Sequence, residues 1–162
     1  MSWIIPESAR RKPCIAAAFA LACQVPLDEF IARLEILGGK FCGTYHGQQC
    51  IDVAWEYGFA TTIIQLNPAI TPIADLKAHA TTVMFPEENS TRFARYMRTQ
   101  IGVLGGLRDN GQSSRLLGHA VAWDTKDIYD PRGFVYPFKA ATKAPHKFFA
   151  NNFFMLTKVC QE

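Results

Sequence analysis

The chain has 162 residues, of which 49% are apolar, and this is enough to bury one core. We expect a single domain over residues 1–162, because a second domain would have too few residues for a core of its own. The net charge is +3, and the 17 Lys and Arg residues are spread along the chain, which argues against a nucleic-acid-binding protein. Five cysteines without regular spacing argue against a disulfide scaffold and favour a reducing compartment.

The first residues have the charge pattern of a secretion signal, with SARRKP before the apolar run CIAAAFALAC. The apolar run continues without a polar break into an amphipathic segment, and it is too short to span a bilayer. We therefore expect no cleaved signal and no membrane segment. The expected setting is the cytoplasm of a bacterium or phage-infected cell, with an effector exported without a cleavable signal as the alternative.

Three helices are predicted in the first part of the chain. Residues 14–23 are almost all apolar and follow a proline, as in the first turn of a buried core helix. Residues 27–37 carry apolar side chains at helical spacing and end at the pair Gly38-Gly39. A third helix over residues 48–57 ends at Gly58.

The remainder of the chain predicts mostly strands. Residues 59–66 are rich in β-branched side chains, residues 69–85 are ambiguous, and residues 89–91 offer N-caps for a further helix. Four later segments are typical of strands: IGVLGGL, RLLGHAVAWD, DIYDPR and FFMLTKV. Helices followed by an antiparallel sheet indicate an α+β fold.

Cys14 is the first candidate functional residue. A thiol becomes an effective nucleophile when its pKa falls, and the positive end of a helix lowers it. Cys14 stands at the start of the first predicted helix, after Pro13, and three basic residues precede that proline. The alternative interpretation is a small buried residue in an apolar helix.

His119 is the second candidate, on a predicted strand. Its neighbours Gly118 and Ala120 are small and leave room for a substrate or another side chain to approach. An imidazole is the usual general base beside a catalytic thiol.

Asp130 lies on the next predicted strand. A hairpin that turns at Thr125 and Lys126 would pair Val121 with Asp130, so His119 and Asp130 would lie diagonally on one face. The carboxylate would then hold the imidazole in one tautomer, while the other ring nitrogen faces the thiol.

These segments resemble a known family. RKPCIAAAFALACQVPLDEFIARL resembles the opening of papain-like cysteine peptidases of the bacteriocin leader-peptidase, or double-glycine peptidase, group, in which a cysteine begins the central helix. GHAVAWDTKDIYDPRG resembles the His strand and the Asp-Pro strand of the same group. The resemblance covers most of the chain in order and implies a papain-like fold, with N-terminal helices packed on an antiparallel β-sheet.

The resemblance also implies roles for three residues: Cys14 as nucleophile, His119 as general base and acid, and Asp130 as the orienting acid. Thiolate attack on an amide carbonyl would give a tetrahedral oxyanion, and then a thioester that water hydrolyses.

The oxyanion hole departs from the family pattern. Such enzymes carry a glutamine several residues before the cysteine and often a glycine directly after it, whereas here Glu7 and Ser8 lie upstream and Ile15 follows. We expect the Cys14 backbone N–H and Ser8, or another donor, to serve instead, with Gly118 beside the substrate. Loss of one donor typically costs on the order of a hundredfold in rate, so a weak or inactive member of the family is an alternative.

A second set of polar residues needs another explanation. Cys42, His46 and Cys50 recur at four-residue intervals, as zinc ligands on one helix face would. The glycines between them argue against a continuous helix, and a fourth ligand is missing unless Cys160 folds nearby. We predict no metal site here. Cys50 is also an alternative nucleophile, although it lies inside a predicted helix.

The sequence therefore predicts a cysteine hydrolase, a peptidase or amidase, that acts on a peptide or protein and needs no cofactor. The alternative is a papain-like module without activity that binds a protein partner. Acyl transfer by the same triad is a third hypothesis. The sequence does not determine the substrate, the bond cleaved or the oligomeric state.

Overall fold

The computed structural model describes residues 2–65, 95–111 and 117–159. Within these residues, three α-helices precede a six-stranded sheet. The elements in chain order are α1 (Cys14–Cys23), α2 (Leu27–Ile36), α3 (Gly47–Glu56), β1 (Phe59–Gln65), β2 (Ile101–Arg108), β3 (Leu117–Trp123), β4 (Asp127–Asp130), β5 (Phe134–Pro137) and β6 (Phe148–Lys158). Short 3₁₀ helices span Glu7–Arg11 and Phe138–Ala140, and residues 95–99 are helical.

The three predicted N-terminal helices are confirmed, with boundaries within one or two residues. Gln24 ends α1 in the left-handed conformation, at φ 57°. Gly39 ends α2, since its N–H donates to the carbonyl of Leu34 at 3.0 Å while its φ is +67°. The predictions for residues 69–85 and for N-caps at residues 89–91 lie outside the described residues.

The sheet is antiparallel throughout and has the strand order β1-β6-β2-β3-β4-β5. The predicted hairpin is confirmed, because Ala122 pairs with Tyr129 and Trp123 with Ile128. Strand β5 was not predicted. It has four residues, of which three are exposed, so it lacks the apolar alternation that marks longer strands.

Glycines allow β2 to pack closely against β6. A Cβ at Gly102 or Gly106 would overlap a backbone carbonyl of β6, and the pairing of these strands has an irregularity between Gly105 and Gly106. The glycine-rich segment IGVLGGL is therefore a strand of the sheet, as predicted.

The sheet has a buried core on each face. On one face, α1 packs against β2 and β3 through small side chains. On the other face, the core includes Trp123, Phe148 and Phe153, and the helical segment 95–99 reaches it through Met97. The indole N–H of Trp123 donates to the carbonyl of Met97 at 2.7 Å. The end of β3 is thus held between two packed layers.

Among the described residues, no single helix has both the length and the apolar composition needed to cross a bilayer. The pair α1 and α2 passes the same test together, but is bent by 117°.

Candidate active site

Cys14 is the first residue of α1 and is half-buried. The first hydrogen bond of the helix joins the Ala17 N–H to the Pro13 carbonyl at 3.1 Å, so the N–H groups before Ala17 have no acceptor within the helix. The backbone N–H of Ile15 and that of Ala120 on β3 donate to the Cys14 sulfur. The sulfur therefore lies at the positive end of α1, against the strand that carries His119.

The pKa of Cys14 is lowered from its ordinary value of 9.0. Burial acts to raise it, but a hydrogen bond from His119, the charge of that imidazole and the two backbone N–H groups together have the larger effect. The buried thiols of Cys23 and Cys50 have no such donors, and burial raises the pKa of each to about 12. Cys14 is distinguished from them by its surroundings.

His119 projects from β3 between Cys14 and Asp130. Its Nε2 is 3.1 Å from Oδ1 of Asp130, although the ring is not aligned for a straight hydrogen bond to that oxygen. Since Nε2 faces the carboxylate, Nδ1 is the nitrogen left for the thiol. The edge of the Phe148 ring contacts the imidazole, with centroids 5.7 Å apart, and the His119 side chain is only 7% exposed.

The pKa of His119 is raised above its ordinary value of 6.5. Burial lowers it, but the Asp130 carboxylate and the Cys14 thiolate together raise it by more. The two shifts are opposite in sign and favour the charged form of each partner. Each group therefore stabilises the charged form of the other, the thiolate of Cys14 and the imidazolium of His119.

Asp130 ends β4 and is completely buried. Burial acts to raise the pKa of its carboxyl group, but His119 and Arg132 lower it well below the ordinary value of 3.8. Asp130 is therefore a carboxylate at neutral pH, beside the ring that it was predicted to orient.

Sequence reasoning missed the other partners of Asp130. The guanidinium of Arg132 donates to both carboxylate oxygens, and the hydroxyl of Tyr136 on β5 lies 3.4 Å from Oδ2. The segment Asp130–Gly133 is a tight turn, in which the Gly133 N–H donates to the Asp130 carbonyl at 2.8 Å. An arginine two residues after the aspartate in such a turn was the available signal.

The comparisons with known proteins support the fold. No family model matches the chain, and no curated protein matches it. A solved structure does match: the crystal structure of a double-glycine motif protease from an AMS/PCAT transporter, in complex with the leader peptide. The match covers 98% of this chain and 91% of that chain, at 15% identity and a TM-score of 0.50.

The chain has a papain-like fold. The predicted α+β class and the predicted resemblance to double-glycine proteases are thereby confirmed at the level of the fold. Within the papain-like fold, Cys14, His119 and Asp130 occur in the expected elements: the start of the first long helix and two adjacent strands.

The two predicted residues around the oxyanion lie in different surroundings. Ser8 is exposed on the 3₁₀ helix Glu7–Arg11 and borders a groove along α1 with Ala17 and Leu21. Among the described residues, no hydrogen bond joins Ser8 to Cys14. Gly118 is exposed, and a Cβ at this position would meet no atom within 4 Å. The face of β3 that carries Gly118 is therefore open at this position.

The basic residues upstream of Cys14 do not surround its sulfur. Arg10 points to the other end of the site, where its guanidinium fills the space above Gly133. Arg11 and Lys12 are exposed. The positive potential at Cys14 therefore comes from His119 and backbone N–H groups.

Cys42, His46 and Cys50 do not share a helix face. Cys42 is exposed in a turn at φ +50°, and α3 begins only at Gly47. His46 stacks on Phe41, with centroids 5.3 Å apart. In the described part of the chain, no three His, Cys, Asp or Glu side chains are grouped to hold a metal ion. Cys50 is buried with a raised pKa, which argues against it as the nucleophile.

Proposed function

We propose that this protein is a cysteine hydrolase that cleaves amide bonds in a peptide or protein, with Cys14, His119 and Asp130 as its catalytic triad. One observation carries the proposal: the cysteine at the start of α1 is hydrogen-bonded to an imidazole that faces a buried carboxylate at 3.1 Å, and the pKa of this thiol is lowered, whereas burial raises the pKa of Cys23 and of Cys50. The thioester route and the triad roles are part of the proposal.

In the proposed mechanism, the Cys14 thiolate attacks the amide carbonyl and its electron pair forms the carbon–sulfur bond. The carbonyl electrons move to oxygen, and free N–H groups at the start of α1 stabilise the oxyanion. Imidazolium His119 gives its proton to the leaving nitrogen as the thioester forms. Neutral His119 then takes a proton from water, which attacks the thioester and releases the acid.

The peptide substrate class is supported by the solved structure of similar fold, which is a protease in complex with a leader peptide. The open position at Gly118 leaves room for an extended chain two residues along β3 from Ala120, whose N–H donates to the Cys14 sulfur. A protein-binding module without activity is the second candidate. It is favoured by the sequence before Cys14, where Glu7 and Ser8 stand instead of the glutamine that such enzymes carry as an oxyanion donor.

The first test measures thiol reactivity. The protein is treated with iodoacetamide at pH 6, and each cysteine is quantified by mass spectrometry. Because ordinary thiols are almost fully protonated at this pH, we expect Cys14 to react at least about tenfold faster than the exposed Cys42. His119→Ala should slow Cys14 and leave Cys42 unchanged. Equal rates at the two cysteines would contradict the proposal that Cys14 is an activated nucleophile.

The second test measures cleavage. A mixture of peptides is incubated with the protein in H₂¹⁸O, and Cys14→Ala serves as the control. Hydrolysis introduces ¹⁸O into the new carboxyl group, whereas acyl transfer to an added amine gives an amide without the label. Fast Cys14 alkylation without any cleavage or transfer would favour the binding module.

A further inference from the structure

The carboxylate of Asp130 makes more contacts with Arg132 than with His119. Arg132 donates from Nη2 to Oδ2 at 2.6 Å, and from Nε to Oδ1 at 3.0 Å. Its backbone N–H donates to Oδ1 at 2.9 Å. His119 faces the same Oδ1 from 3.1 Å without good alignment. The orientation of the carboxylate is therefore fixed mainly by the arginine.

The local backbone favours this arrangement. Gly133 has φ +99°, which lets the chain reverse directly after Arg132 and begin β5. The Arg132 side chain folds back over the turn, where it lies above the Phe134 ring at 5.3 Å. The guanidinium fork matches a carboxylate in a way that a lysine ammonium cannot.

We propose that Arg132 is a positioning residue for the triad: it holds the Asp130 carboxylate with one oxygen towards His119, and its charge limits how strongly Asp130 favours the imidazolium. This inference rests on the proposed function, because it assigns a role within the same site. Arg132 acts through Asp130 and is not assigned any contact with substrate.

Among the described titratable groups around Asp130 other than His119, Arg132 is the charged side chain that contacts the carboxylate. Tyr136 has a raised pKa, because of burial and of Asp130, so its hydroxyl is neutral. His146 stacks on Tyr136 at 3.6 Å, and burial together with Arg132 lowers its pKa, so it is neutral at pH 7. Cys14 and Asp130 are the groups that face His119 directly, and the Arg10 guanidinium packs on Gly133 beyond the turn.

The test compares Arg132→Gln with Arg132→Lys. Cys14 is alkylated with iodoacetate across pH, because this anionic reagent needs both the thiolate and the protonated imidazole. The rate profile has a rising limb, where the Cys14 thiolate forms, and a falling limb, where the His119 imidazole loses its proton. Removal of the positive charge in Arg132→Gln should move both limbs to higher pH, by about half a unit to one unit. Arg132→Lys keeps the charge, so its limbs should stay in place while its maximum rate falls about threefold to tenfold.

A matched control replaces another arginine that makes a bidentate ion pair with a carboxylate. Arg33 makes a bidentate ion pair with Glu56 between α2 and α3, at 2.7 and 2.9 Å. Arg33→Gln also deletes one positive charge and one such pair, and it should leave both limbs and the maximum rate unchanged.

NMR titration of the His119 ring, identified by the signal that His119→Ala removes, gives a second readout that needs no reactive thiol. Its pKa should rise in Arg132→Gln and stay constant in Arg132→Lys.

A uniform loss of rate with unmoved limbs and an unmoved His119 pKa would overturn the inference and leave the proposed function intact. Slow wild-type alkylation of Cys14 would reject the proposed function, while the His119 titration still decides the role of Arg132. If Arg132→Gln does not fold, displaced limbs in Arg132→Lys would overturn the inference.

Discussion

Replacement of Asp130 by asparagine tests the electrostatic coupling in the site. The carboxylate lies 3.1 Å from Nε2 of His119. Two unit charges at this separation attract by about 5 kcal/mol at an effective dielectric constant of about 20. The Arg132 guanidinium neutralises part of that field, so we assign about half of it to His119, which corresponds to a fall of about 2 pKa units in Asp130→Asn. The shape of the side chain is nearly unchanged, so the effect is one of charge.

The assay is the pH profile of Cys14 alkylation by iodoacetate, with the His119 ring titrated in parallel by NMR. The upper limb should move to lower pH in Asp130→Asn, in the direction opposite to that expected for Arg132→Gln. An upper limb that stays in place or rises would refute the reasoning, because the carboxylate would then have no part in holding the His119 proton. Arg132 also loses its partner, so we expect about 3 kcal/mol less stability, and folding is checked first by circular dichroism.

Three further predictions concern stability. The carboxyl pKa of Asp130 is depressed, so its contribution is present above the ordinary value of 3.8 and is lost as the pH falls towards the folded-state pKa. Urea unfolding free energies of wild type and Asp130→Asn should therefore converge in acid, and a constant difference would contradict this. Gly106→Ala should destabilise by at least about 2 kcal/mol, because a Cβ overlaps a backbone carbonyl of β6, whereas Gly118→Ala should be neutral. Trp123→Phe should lose about 1–3 kcal/mol, because the buried carbonyl of Met97 loses its donor at 2.7 Å. An unchanged urea midpoint in Gly106→Ala or Trp123→Phe would show that the chain relaxes around the site.

The parts of the site that depend on local pairing were predictable from the sequence. A short loop between β3 and β4 fixes which residues are opposite each other, so the side-by-side placement of His119 and Asp130 follows from counting along the hairpin. The start of α1 at Cys14 was equally clear, because a proline directly precedes a long apolar segment. Neither inference requires knowledge of distant contacts.

The contacts that Asp130 makes within its turn and with β5 were not predicted. Arg132 reaches Asp130 only because the chain reverses at Gly133, and the Tyr136 hydroxyl arrives on β5, which is too short to be recognised by pattern. The four-residue spacing of Cys42 and His46 does not place the two side chains on one helix face. Four-residue spacing has structural meaning only on a continuous helix, and α3 begins after both residues.

The meeting of the thiol and the imidazole depends on the small side chains between α1 and β3. Residues Ala16 to Ala18 of the helix, and Ala120 and Ala122 of the strand, are all at most 4% exposed and belong to the same buried core. Because alanine side chains are short, the helix axis can approach the sheet closely, and the Ala120 N–H reaches the Cys14 sulfur. A bulkier residue in the strand would separate the two layers and remove that donor, since packed interiors have little spare volume. The alanine-rich composition of α1 therefore serves the geometry of the site as well as burial of the core.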